Sequence, residues 1–374
     1  MQKGIMGYFE KIEDPRIERK KLHSISEILF LILCCSLCGI TDYVHMEDFG
    51  KARIDWFRRY YQYGHGIPSH DTLGRVMSIL SPSLFKECFL GWVKSLKPIK
   101  GDTISIDGKA LRHSFNDGDP KSAIYMVSAW GSKTGLVLGQ DKVENKSNEI
   151  TAIPKLLEML DIEGSIITID AMGCQYEIAE KINIKGGEYI FALKGNQGNL
   201  SDDVKLLFAD KELVKNSNPS IHETTDGDHG RVEIRKCTVL SDTEWLRKRH
   251  KNWSSVQSII QIESSREIKN KISQETRYYV SSCCDDANIM LKNIRAHWEI
   301  ENKLHWVLDV QFDEDKSRIR KDHSPENMAI IRHSVLNMIN IYRQNTKKIS
   351  VKRVHNLAAW SDLERQKLIF QQYF

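Results

Sequence analysis

From Thr103 the hydrophobic period of the chain changes, and that change constrains the fold more than any other feature. "TISID" (103–107), "IYMVSAW" (124–130) and "LVLGQDKV" (136–143) are short runs rich in β-branched and apolar residues, separated by turn-like segments. Runs of this kind predict three consecutive strands in a meander. "NEITAIPKLLEML" (148–160) then has helical spacing through Ile150, Ile153, Leu157 and Leu160. "SIITID" is a fully apolar strand, "YEIAEKI" a helix and "EYIFAL" another strand. Three strands followed by alternating helix and strand indicate an α/β sheet whose first part is antiparallel.

That order matches a ribonuclease H-like core, a mixed sheet flanked by helices. Residues 198–282 interrupt it with a more polar, β-rich insertion containing "RVEIRKCTVL", "SVQSIIQIE" and "TRYYVSS". Residues 287–308 return to helix, and the tail from Pro325 is helical and basic. Residues 1–100 read as all-α. Ser26 is a candidate cap for a helix carrying Ile28, Leu29, Ile32, Leu33 and Leu37; Ser69 caps "HDTLGRVMSIL", and Pro82 starts another helix. The expected division is a helical N-terminal domain over 1–100, a catalytic domain over 101–345 and a basic helical tail over 346–374. Short Arg-rich helices with tight breaks fit a helix-turn-helix DNA reader; a plain helical cap fits them equally well.

The chain has 374 residues, 41% hydrophobic and 28% charged with 8 prolines, which excludes disordered and low-complexity classes. Its net charge is only +4, but the distribution is uneven. Residues 51–100 carry nine basic side chains against three acids, and residues 316–374 carry twelve against four. Basic flanks around a more balanced centre suit a protein that grips a phosphate backbone. The eight cysteines include one Cys35-x-x-Cys38 and no second pair at zinc-ribbon spacing, so buried free thiols in a reducing compartment are expected. The apolar run Ile28 to Ile40 is 13 residues, too short for a bilayer. No membrane association and a cytoplasmic location are the expectations.

Three carboxylates stand out. Asp107 ends an apolar run, where Asp-Gly is also a hairpin signature. Asp170 ends another just before a helix, where it also suits an N-cap. Together they are informative, because chemistry in α/β sheets gathers where strands end beside helix starts. Glu301 falls on an apolar stripe formed by Ile294, Trp298, Glu301, His305 and Leu308, so it is expected to face inward and to need a cation or a strong donor; pairing with Arg295 or another buried base is the plainer alternative. Neighbouring Glu299 is expected in solvent. Converging carboxylates hold a pair of Mg²⁺ ions through oxygen, and such a pair drives in-line phosphoryl displacement. Lys109, Arg112 and Lys194 are the nearby candidates for phosphate contacts, and each also reads as an ordinary surface charge. A rival row, His297, Glu301 and His305, has spacing that suits zinc, although HExxH is absent.

"ISIDGKALRHS", "EITAIPKLLEMLDIEGSIITIDAMGCQ", "FALKGNQG", "HGRVEIR" and "IRAHWEIENKLHWVLDVQFDED" resemble, in collinear order, the H-repeat-associated, ISAs-type insertion-sequence transposases; "EDFG" and "GIPSHDTLGRV" resemble the domain associated with them. The resemblance runs from about residue 8 to beyond 335. It implies a DDE transposase with a ribonuclease H-like core, whose acids fall on Asp107, Asp170 and Glu301, with intervals of 63 and 131 residues. It further implies two Mg²⁺ ions, with Mn²⁺ as a substitute, cleavage at terminal inverted repeats, and joining of 3′ ends to target DNA by a homodimer. Arg231 and Arg235 in the insertion and Arg75 on the candidate recognition helix are further expected DNA contacts, and Asp309 is an accessory acid. Wider relatives carry Tyr, Arg and Lys around the Glu; here Ile294, His297 and Leu308 stand there, leaving Arg295, Lys303 or Lys194 as substitutes. A DNA-binding relic without catalysis and a structure-selective nuclease are the alternatives.

Overall fold

The computed structural model describes residues 4–18, 21–96, 100–114, 123–143, 149–228, 231–269, 271–346 and 349–370. His229 and Gly230 of "HGRVEIR", the basic residue Lys97 and part of the tail lie outside the described residues.

The opening segment is helical, as expected: α1 (Met6–Phe9), α2 (Ile25–Leu37), α3 (Tyr43–Ala52), α4 (Ile54–Phe57), α5 (His70–Ile79) and α6 (Pro82–Leu96). The cap of α2 is Ser24, not Ser26. Ser24 accepts from the Glu27 N–H while the Glu27 carboxylate accepts from Ser24 N–H, a reciprocal box that fixes the start two residues earlier. Ser69 caps α5 as read, and α5 meets α6 at 89°.

The sheet follows: β1 (Thr103–Leu111), β2 (Ile124–Gly131), β3 (Leu136–Lys142), then α7 (Glu149–Met159), β4 (Ile166–Ile169), α8 (Tyr176–Ile184) and β5 (Glu188–Leu193). β1, β2 and β3 pair antiparallel, and β1, β4 and β5 pair parallel, giving the spatial order β3-β2-β1-β4-β5 of a ribonuclease H-like core. The first strand is longer than "TISID". It runs through Asp107-Gly108 to Leu111, so Asp-Gly here is mid-strand and makes no hairpin.

The segment expected as an insertion contains α9 (Gly198–Ala209), α10 (Lys211–Asn216), β6 (Ser220–Asp228), β7 (Arg231–Leu240), α11 (Glu244–Arg249), β8 (Ser258–Ile268) and β9 (Lys271–Ser281). Its strands form no separate sheet. β9 pairs antiparallel with β5, and β8, β7 and β6 continue outward, making one sheet of nine strands. β6 is "SIHETTDGD", whose polar, alternation-poor sequence hides an edge strand.

Beyond it come α12 (Ala287–His297), α13 (Trp306–Gln311), α14 (Ser324–Asn345), α15 (Val351–Trp360) and α16 (Asp362–Phe370). α14 is the central fastener. It is buried along most of its length and contacts α2, α5, α6 and β3. Two of its buried asparagines meet backbone needs. Asn337 makes paired 2.8 Å hydrogen bonds with the N–H and C=O of Val137 on edge strand β3, and Asn327 donates to Met77 and Leu80 carbonyls at the end of α5. Helices α15 and α16 pack on α2, and one apolar core runs from Ile5 to Ile369. Not all of the basic tail is available charge: Arg365 is fully buried, donates to Ala358 C=O at 2.7 Å and lies 4.0 Å from the Trp56 ring. The cysteines are free, and burial pushes the thiols of Cys34 and Cys35 up. Among the described residues no single helix is long and apolar enough to cross a membrane.

Candidate active site

The parallel pairing of β1 with β4 sets the centre of the site. Ile106 is in register with Ile169, so the next residues, Asp107 and Asp170, stand side by side where β4 ends. Asp170 does not cap α8, whose N-cap is Gln175; its carboxylate instead accepts from the Met172 and Gly173 N–H groups and fixes the turn after β4.

Glu301 arrives differently from expectation. The α-helix stops at His297, and Ile300–His305 form a π-helical turn in which the Trp306 N–H bonds to the Glu301 carbonyl five residues back. This wider turn breaks the apolar stripe: Ile294 and Leu308 are buried, whereas Trp298 is 48% exposed and the Glu301 side chain 60%. Glu301 is therefore not a buried charge. It sits on a turn packed against β1 and reaches His305, whose Nδ1 is 3.3 Å from its Oε2. Arg295 is not its partner, since it pairs with Asp226 at 3.0 Å; the buried base that Glu301 meets is His305. Glu299 is not solvated either: one oxygen meets Lys303 at 2.7 Å and the other is buried.

The His297–Glu301–His305 row is also split by the turn. His297 Nδ1 lies 3.1 Å from Thr168 Oγ1 on β4, while His305, 5% exposed, turns toward Asp107, with Nδ1 3.6 Å from Oδ2. Asp107, Glu301 and His305 each place one ligand atom within 4.8 Å of the others. Asp170 is outside this tight group, on the opposite flank of Asp107. Gly108 leaves room for another carboxylate that sequence reasoning missed. Glu149, in the first turn of α7, lies where a Cβ on Gly108 would stand. Its only sequence signal was an acid opening a helix.

These acids repel one another. Burial, with Glu149, Asp170 and Glu301 nearby, pushes the Asp107 carboxyl up to about 7 despite a hydrogen bond from the Gly108 N–H. Burial and Asp170 likewise raise Glu149. Burial lowers His305, which keeps its ring neutral near pH 7. Clustered carboxylates that resist ionising together are a site for cations, and the oxygen donors suit Mg²⁺ or Mn²⁺.

Residues 98–338 match the model of the transposase DDE domain, and residues 6–93 match the DDE_Tnp_1-associated model. The chain belongs to the DDE transposase family. Its transposase relatives include "H repeat-associated putative transposase YhhI" of Escherichia coli (strain K12), 41% identical over 90% of both chains. "Putative transposase YncI" of Escherichia coli O157:H7 is 41% identical over 90% of this chain and 87% of its own. A piggyBac transposase synaptic complex with hairpin DNA is similar at TM-score 0.45 and 12% identity, over 98% of this chain and 78% of that one; at that score it carries no argument.

The basic residues of this transposase divide into free and committed charges. Lys109, read as a phosphate contact, is instead locked inside. Its ammonium meets Asp309, Glu314 at 2.9 Å and Asp315 at 3.9 Å, with the Lys109 side chain only 14% exposed. Glu314 is 2% exposed, and despite burial Arg332 and Lys109 hold it below the usual carboxylate range. Arg112 is 74% exposed and touches Asp315 at 3.3 Å. Lys194 is exposed just past β5. Arg75 is exposed on α5 and shares a 570 Å³ cleft with Lys316, Arg318 and Lys321. Arg231 and Arg235 pair with Glu233, and Arg235 also with Asp226. Both line a 670 Å³ cleft with Arg266, Arg277, Arg295 and Lys303 beside the π-helical turn.

Proposed function

We propose that the chain is a DNA transposase that cuts at the ends of an insertion sequence and joins the free 3′ ends to target DNA. The observation that carries this reading is Asp107, set between Asp170 just past β4 and Glu301 on the π-helical turn. A carboxylate with acidic neighbours on both flanks is suited to share itself between two ions, Mg²⁺ by preference and Mn²⁺ by substitution. Asp107, Asp170 and Glu301 are the residues that would hold them, and Glu149 lies close enough to adjust the charge of the set. When bound, the ions lower the pKa of the attacking water or 3′-hydroxyl and stabilise the leaving oxygen of an in-line displacement.

The rest of the reading concerns DNA. Arg75 and its cleft partners, with Arg112 and Lys194, offer exposed charge for duplex backbone, and the arginine-lined cleft beside the π-helical turn offers a second basic surface. Lys109 is left out, because its charge is spent on acids of its own chain. Two ends cut together favour a homodimer on DNA. The deciding experiment is cleavage of labelled duplex carrying an element end, with Mg²⁺ or Mn²⁺. The parent is expected to cut, while Asp107→Ala, Asp170→Ala and Glu301→Ala bind the duplex without cutting. Cutting by any of the three at the parental rate would refute its role, and tight binding without cutting by the parent would mark a DNA-binding relic.

A further inference from the structure

We propose that His305 is a ligand of the metal centre, donating Nδ1 to the ion that Asp107 and Glu301 hold. The inference rests on the transposase reading and deepens it, by assigning an imidazole to a site otherwise made of carboxylates.

The π-helical turn is what creates the arrangement. By widening the helix it brings Glu301 and His305, four residues apart, against the same strand residue. His305 Nδ1 faces two carboxylate oxygens at once, 3.3 Å from Glu301 Oε2 and 3.6 Å from Asp107 Oδ2. Both distances exceed those of a charge-assisted hydrogen bond, about 2.7–2.9 Å. Neighbouring donors around an octahedral ion with bonds of about 2.1 Å stand about 3 Å apart, closer to the two Nδ1–oxygen distances, and all three ligand atoms lie within 4.8 Å of one another. The ring itself is held rigidly, 5% exposed, with its other edge against the protein. Among the described residues Nε2 has no hydrogen-bond partner, and neither has Nδ1 of His333 on α14, a residue near enough for the two rings to affect each other's charge. An imidazole that binds metal through one nitrogen places its proton on the other, and a bare ring nitrogen is the acceptor such a proton needs.

Asp170 completes the contrast. It belongs to the other flank of Asp107 and is absent from the tight group, so the two flanks differ in chemistry: oxygen donors on the Asp170 side, a nitrogen on the Glu301 side. An imidazole ligand favours transition ions over Ca²⁺, so the Glu301 side is expected to prefer Mn²⁺ to Ca²⁺.

The test uses the full chain loaded with Mn²⁺ alone. Binding is followed by loss of the free-ion paramagnetic resonance signal, and ligation by electron spin echo modulation from nitrogen, with ¹⁵N-histidine labelling to separate imidazole from backbone. The parent is expected to bind Mn²⁺ with histidine modulation. His305→Gln is expected to lose that modulation and to bind at least about tenfold more weakly, with thermal melts confirming that it folds. Mn²⁺ held by the parent without histidine coupling, and equally well by His305→Gln, overturns the ligand and leaves the transposase reading intact. Binding that survives Asp107→Asn unchanged, or no binding by the parent, overturns both.

Discussion

Replacing Asp107 by Asn should stabilise the metal-free protein, and increasingly so as pH rises. The folded carboxyl is pushed from 3.8 to about 7, so below about pH 4 it is protonated in both folded and unfolded chains. As pH rises through that interval the unfolded chain ionises freely while the folded one resists, and stability is lost until the pH passes about 7. From pH 5 to pH 8 the loss spans roughly two pKa units, about 3 kcal/mol at 1.36 kcal/mol per unit. The side chain is 28% exposed, so solvent screens this little. The amide of the Asp107→Asn variant does not titrate and carries no such dependence. With an unfolding entropy of about 2.1 cal/mol/K per residue over 374 residues, 3 kcal/mol corresponds to about 4 °C. The assay is the melting temperature of parent and Asp107→Asn in EDTA at pH 5 and pH 8. The advantage of the variant should widen by about 4 °C at the higher pH, and millimolar Mg²⁺ should then raise the parent and not the variant. A gap that stays constant or narrows would refute the reasoning, since the crowding of Asp107 by burial and by Glu149, Asp170 and Glu301 would not exist.

Three further outcomes follow from other parts of the structure. Lys109→Met strands Asp309 and leaves the buried Glu314 to Arg332 alone, and should cost roughly 3 kcal/mol in urea unfolding; a cost under about 1 kcal/mol would return Lys109 to the role of a surface charge. Asn337→Ala removes both hydrogen bonds from Val137 and should cost about 2 kcal/mol, with faster hydrogen exchange at the Val137 amide; an unchanged exchange rate would contradict the fastening role of α14. Arg75→Glu should weaken duplex binding and reduce the slope of log affinity against log salt by about one or more; an unchanged slope would place the DNA elsewhere.

The core was legible because strands buried on both faces have few alternatives. "IITI" and "YIFAL" alternate with amphipathic helices, and the order of runs was enough to read the core; it put Asp107 and Asp170 at strand ends, while the pairing of β1 with β4 that sets them side by side came from the structure. Glu301 was found for a reason that proved false. A uniform helical period put it inside, but the period changes at the π-helical turn, which nothing in "HWEIENKLHW" announces, and the residue is exposed. Lys109 misled for a related reason: its partners Asp309 and Glu314 lie about two hundred positions away, beyond any local pattern. Glu149 and β6 were hidden in the same manner, the one as an ordinary first-turn acid, the other as an edge strand with polar residues on both faces.

The account stands most directly on strand joining. Element ends already cut to expose a 3′-hydroxyl are mixed with a target plasmid, Mg²⁺ and the full chain, and junctions are sequenced. Joined molecules from the parent, absent from Asp107→Ala, Asp170→Ala and Glu301→Ala, are the expected result. A parent that cuts flanking DNA yet leaves every supplied 3′ end unjoined would contradict the account and make the protein a nuclease on the same fold.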